Sequence, residues 1–106
     1  AAAFRVRFDD GQGDLGYATD LGRPTADLAD HLRGVTTLAL ECNYCPHLEL
    51  ASNRPEYLKQ RIMGGSGHLS NEQSARLARD IAPAHRVVLL HLSRQCNTPD
   101  RAAAAH

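Results

Sequence analysis

The sequence has no excess of charge of either sign: 12 Lys and Arg balance 12 Asp and Glu over 106 residues. That excludes the broad electrostatic footprint by which proteins bind bulk nucleic acid or membrane surfaces. It leaves open a nucleic-acid substrate held through a metal. Long apolar runs are absent, and the longest are a few residues, far short of the roughly 20 that span a bilayer; no membrane partner is expected. A charged-then-apolar leader is also lacking. The three cysteines are an odd number without a secretion signal, so they are expected to be reduced thiols in a cytoplasmic protein. No internal repeat, low-complexity tract or linker divides the chain, although both ends are rich in alanine. Its length suits one small domain of modest stability.

Residues 4–8 (FRVRF) alternate apolar and basic side chains and predict a strand exposed on one face. Residues 9–14 (DDGQGD) carry turn chemistry, and residues 15–20 (LGYATD) complete a hairpin. Residues 25–33 predict a helix capped by Thr25, with Asp27 at its positive end and Gly34 after it. Residues 35–41 (VTTLALE) are a β-branched, apolar strand. Residues 41–54 read as irregular, with room for a short turn of helix. Residues 55–63 open on Pro55 and stop at Gly64-Gly65, as a helix does. After a Gly-rich loop over 64–69, Ser70 and Gln73 form a capping box for a helix over 70–82, which Pro83 ends. Residues 86–92 (RVVLLHL) read as a strand buried on both faces. The resulting order is β-β-α-β-α-α-β, an α/β pattern whose last three strands are joined through helices and so run parallel.

Three of these strands end in residues able to bind a metal or transfer a proton: Asp20, Glu41 and His91. Ligands of open α/β sheets bind outside the carboxyl ends of the strands, and a strand aims a ligand more rigidly than a loop does. Singly, Asp20 reads as a turn residue, Glu41 as a solvated carboxylate and His91 as a rim histidine. Together, at one edge, they predict a site. His68 precedes the capped end of the 70–82 helix, where glycines and free amides suit a phosphate. Arg94, two residues after the last strand, is placed to meet a phosphate. The other cations, Arg54, Lys59, Arg61, Arg76 and Arg79, read as solvated helix faces. A competing constellation is a structural zinc on Cys42, Cys45, His47 and Cys96, although only the first pair has close ligand spacing.

Four segments taken together, "GYATDLG", "LALECN", "LKQRIMGGSGHLSNEQSARL" and "VVLLHLSRQCNTP", resemble the C-terminal half of metallo-β-lactamase-fold hydrolases. The likeness is to the bacterial phosphodiesterase or exonuclease-like branch and, more distantly, to tRNA 3′-processing endonucleases. It runs from Phe4 to Pro99. It implies that residues 1–106 are one partial domain, half of an αββα sandwich. It also implies a metal-dependent hydrolase of phosphodiester bonds, with nucleic acid among the candidate substrates. Asp20 resembles the aspartate that bridges two divalent metals, zinc or manganese, and His91 the last histidine ligand. His68 resembles a histidine that protonates the leaving group or clamps the phosphate, with Glu41 orienting it. Ser70, Asn71, Arg94 and Asn97 become candidates for substrate contact.

Two departures follow. Relatives carry a His and an Asp soon after the position of Asn43, where this chain has Tyr44, Cys45, Pro46 and His47. The family's main cluster, His-x-His-x-Asp-His, belongs to the N-terminal half and does not occur here. The metals and the activity are therefore expected only in a complete protein, through a missing N-terminal half or a partner chain, and this chain alone is expected to be inactive. The alternative is a non-catalytic, partner-dependent module with a degenerate site. Either way, one apolar sheet face is expected to lie bare.

Overall fold

The computed structural model describes residues 2–9, 11, 13–65 and 67–106. Asp10 and Gln12 of the expected turn, and Ser66 of the Gly-rich loop, lie outside them. A hairpin of β1 (Ala2–Arg7) and β2 (Asp14–Thr19) pairs Phe4 with Tyr17 and Val6 with Leu15, and the Phe8 N–H donates to the Gly13 carbonyl across the turn. Helix α1 (Ala26–Leu32) follows, its N-terminus closed by the Thr25 hydroxyl. Strand β3 (Thr37–Glu41) then pairs parallel to β2. Helices α2 (Pro46–Ala51), α3 (Glu56–Met63) and α4 (Asn71–Ile81) lead to β4 (Arg86–Leu90), parallel to β3. Helix α5 (Pro99–Ala105) ends the chain. The sheet order is β1-β2-β3-β4, and the capping box at Ser70 and Gln73 is formed in full.

Strand alternation gives the sheet two unlike faces. Ala18, Leu38 and Leu40 are fully buried against Leu32, Val35, Leu69, Leu77 and Ile81, the main core. The opposite face carries a continuous row, Phe4–Tyr17–Ala39–Val88, one residue from each strand. Phe4 stacks on Tyr17 with ring centroids 4.9 Å apart, yet Phe4 and Val88 are each 46% exposed and Val6 is 43% exposed. On β1, therefore, the apolar side chains point outward. The alternating arginine turns toward the helices: Arg5 pairs with Asp14 at 2.6 Å and donates to the carbonyls of His31 and Arg33 at the end of α1.

One expectation is corrected, and two segments carry helices that the sequence left open. Strand β4 is not buried on both faces, because it is the edge of this sheet and Arg86, Val87 and Val88 are exposed. Its apolar run suits a strand that requires cover, and the helix core supplies that cover on one face only. Residues 46–51 form a real helix, with Pro46 in its first turn, where a missing N–H costs nothing. The alanine-rich end is helix α5, capped by the Thr98 hydroxyl. No helix among the described residues is long and apolar enough to cross a membrane.

Two outcomes test this packing in the 106-residue chain. Leu38→Ala should lower unfolding stability by about 2–5 kcal/mol, whereas Val88→Ala should stay within about 0.5 kcal/mol, both measured by urea denaturation. Asp14 is held below the usual carboxylate range by the Thr36 backbone N–H and by Arg5. Its stabilisation is therefore present above about pH 4 and is lost as the pH falls through the depressed folded value. Urea midpoints measured down the acid limb should fall less steeply for Asp14→Asn than for the parent.

Candidate functional site

The carboxyl ends of β2, β3 and β4 lie at one edge because the three strands are parallel. Asp20 follows β2 and His91 follows β4, and both adopt left-handed backbone, with φ of 55° and 59°. Aspartate and histidine tolerate that region better than most side chains. Such turns, unusual outside glycine, collect where a site demands a particular aim. Glu41, the last residue of β3, sits between them and is wholly buried.

His68 reaches the same edge by a different route. The segment before α4 lies alongside the segment after β3: the Asn43 N–H donates to the Leu69 carbonyl, the Asn71 N–H donates to the Tyr44 carbonyl, and Tyr44 and Ser70 form a parallel bridge. The His68 N–H donates to the Ile62 carbonyl at 3.2 Å. Gly67 allows the loop to press this close to α3, since a Cβ there would stand 2.5 Å from the Arg61 carbonyl oxygen and 2.6 Å from Ile62 Cα.

The Glu41 carboxylate accepts from everything around it. Oε1 takes the Asp20 N–H at 3.0 Å, His91 Nδ1 at 2.7 Å and His68 Nδ1 at 3.2 Å, and Oε2 takes the Leu69 N–H at 3.0 Å. A carboxylate oxygen accepts, so it is Nδ1 of each imidazole that faces Glu41 as the donor, and Nε2 is turned away from it. The two rings meet edge to face, centroids 5.1 Å apart. Asp20, Glu41, His68 and His91 each offer a ligand atom, and these atoms all lie within 4.8 Å of one another. Two carboxylates and two imidazoles suit zinc or manganese. Because Glu41 is occupied by four donors, it fits the part of a residue that orients its neighbours in such a group.

The remaining predicted residues are placed otherwise. The Ser70 hydroxyl is committed to capping α4. Asn71 and Asn97 hydrogen-bond each other in the interior, and Asn97 also donates to the carbonyls of Cys42 and Asn43. These three side chains hold loops together. Arg94 is exposed on the loop after β4. The zinc reading of the cysteines is corrected, because Cys42, Cys45, His47 and Cys96 form no convergent group. Cys42 donates to Asn71 Oδ1, and burial pushes its thiol up to about 11, a poor state for a ligand that must ionise. Cys45 instead accepts from Arg101, and Cys96 packs with Tyr44 and Ile62. Arg54 is likewise not a solvated cation: it meets both oxygens of buried Glu49 and donates to Gln95 and Ser93. Sequence reasoning missed Asn43, whose amide donates to the His91 carbonyl at 2.7 Å and so fixes that turn. Its only signal was a polar residue two positions after a buried strand.

A cavity of about 640 Å3 opens beside the cluster, with Asp20 and His68 in its wall. No family model matches the chain, and neither does any curated protein. Solved structures do. The chain is similar to a metallo-β-lactamase fold protein, YhfI from Bacillus subtilis, at TM-score 0.64 and 14% identity, covering 98% of this chain and 40% of that one. It is also similar to a diphosphatase from the PhnP family at TM-score 0.54 and 16% identity, covering 93% of this chain and 34% of that one. The chain thus has the fold of part of a metallo-β-lactamase-type protein, and it spans well under half the length of these neighbours.

Glu41→Gln places an amide among four donors. It should weaken binding of manganese to the full-length protein by about 10–100-fold, read by isothermal titration calorimetry. Unchanged affinity would remove Glu41 from its orienting role.

Proposed function

We propose that this chain is the sheet-and-helix half of a metal-dependent hydrolase of phosphoesters, phosphodiester bonds above all. The activity would be complete only with further polypeptide that covers the Phe4–Val88 face and adds metal ligands. The single observation carrying this reading is the convergence of Asp20, Glu41, His68 and His91 at the carboxyl edge of a parallel sheet. The fold likeness supports it, as does the diphosphatase named among the neighbours.

In this reading Asp20 and His91, the latter through the Nε2 turned away from Glu41, would hold divalent ions. Such ions would supply Lewis acidity at the phosphoryl oxygens and activate water for attack. Glu41 keeps both imidazoles in the tautomer that leaves Nε2 unprotonated. His68, whose Nε2 is turned away from Glu41, would accept there the proton released by the activated water and, as the imidazolium, hydrogen-bond the phosphate and pass that proton to the leaving oxygen. Its loop is pinned to Ile62, so the imidazole is aimed before substrate arrives, which is where positioning contributes to rate. The bare apolar row favours a second reading, a partner-dependent module without activity.

In the full-length protein, Asp20→Ala and His91→Ala should each abolish metal binding and metal-dependent hydrolysis of bis(p-nitrophenyl) phosphate. His68→Ala should retain metal and lose about 100-fold or more in kcat. Full activity in the Asp20→Ala protein would end the hydrolase reading and favour the module.

A further inference from the structure

We propose that the cavity beside the cluster is an anion subsite centred on Arg61, selecting phosphoesters that carry a second negatively charged group. This rests on the phosphoesterase reading and adds its substrate class. The cavity is lined by Asp20 and His68, by the apolar side chains of Leu58 and Ile62, and by Arg54 and Arg61. Its size is that of ordinary small-molecule sites.

The two arginines are not equivalent. Arg54 spends its charge on Glu49, at 3.2 and 3.3 Å, and is further held by Gln95 and Ser93. It forms fixed wall. Arg61 is exposed, and makes no side-chain hydrogen bond or ion pair with a described residue. In the last turn of α3 its charge complements the helix end, which explains a cation there but not its opening onto the cavity. Asp20 is the only carboxylate among the described residues of the wall, and in the proposed function its charge is taken by metal. A ligand therefore meets positive charge at the cluster, an apolar stretch, and a guanidinium free to pair bidentately with phosphate or carboxylate.

The spacing between the two ends is built in. Gly67 packs against the carbonyl of Arg61 itself, and the His68 N–H is bonded to Ile62, the next residue of α3. The loop bearing His68 is thus packed directly on the helix bearing Arg61, and the proposed subsite selects by length as well as by charge. A sugar carrying two phosphates, as in a nucleoside bisphosphate, is the class that fits: two anions separated by a small apolar-faced ring.

The test uses full-length, manganese-loaded protein and calorimetric affinities for thymidine 3′,5′-bisphosphate and thymidine 5′-monophosphate, beside bis(p-nitrophenyl) phosphate hydrolysis. The bisphosphate should bind about tenfold tighter or better, as one added charge-assisted pair allows. Arg61→Ala should bring the ratio of the two affinities close to one, and Arg61→Lys should keep part of it. A parent ratio near one, a ratio untouched by Arg61→Ala, or no binding of either nucleotide overturns the subsite. Absence of hydrolysis with the ratio intact overturns the phosphoesterase reading and supports the subsite.

Discussion

The buried carboxylate of Glu41 is the constraint on which the functional edge of this molecule depends. An ionised carboxylate removed from water is costly unless its lone pairs are satisfied. Here four donors satisfy them: the backbone N–H groups of Asp20 and Leu69 and the Nδ1 atoms of His68 and His91. The donors come from three segments: the turn after β2, the turn after β4, and two successive residues of the loop before α4. One side chain therefore fixes three loops against one another. Loss of any donor leaves charge unpaired, so the arrangement resists partial opening. The same bonds settle which imidazole nitrogen is left for chemistry, which makes the folding constraint and the functional one a single constraint.

A second constraint works on the opposite side of the sheet. Leu38 and Leu40 point into a helix-covered core, while Phe4, Val6 and Val88 stand in water. A contiguous apolar row across four strands marks a surface meant for cover. The neighbours are more than twice as long as this chain, which accords with that arrangement.

Much of this was legible in the residues. Strand ends at Asp20, Glu41 and His91 were visible because β-branched and apolar runs stop at ionisable side chains. The capped helix after His68 was visible because Ser70 and Gln73 have capping-box spacing. What was not legible depended on tertiary placement. An apolar run cannot say that β4 lies at an edge, since exposure is set by what the rest of the chain leaves uncovered. Asn71 and Asn97 look like substrate contacts in sequence, yet they satisfy each other and the carbonyls after β3. Arg54 and Arg61 look alike on paper, and only the position of Glu49 separates a structural cation from an open one. The cysteines misled because spacing along the chain says nothing of where thiols point.

The measurement that bears most directly on the central claim is the imidazole nitrogen spectrum of the protein, a long-range 1H–15N correlation recorded before and after addition of zinc. The account predicts that His68 and His91 are both Nδ1–H tautomers before zinc, and that His91 Nε2 shifts on binding while its Nδ1 proton remains. Nε2–H tautomers at these residues, or a His91 Nδ1 that itself takes the metal, would contradict the claim that Glu41 orients the site.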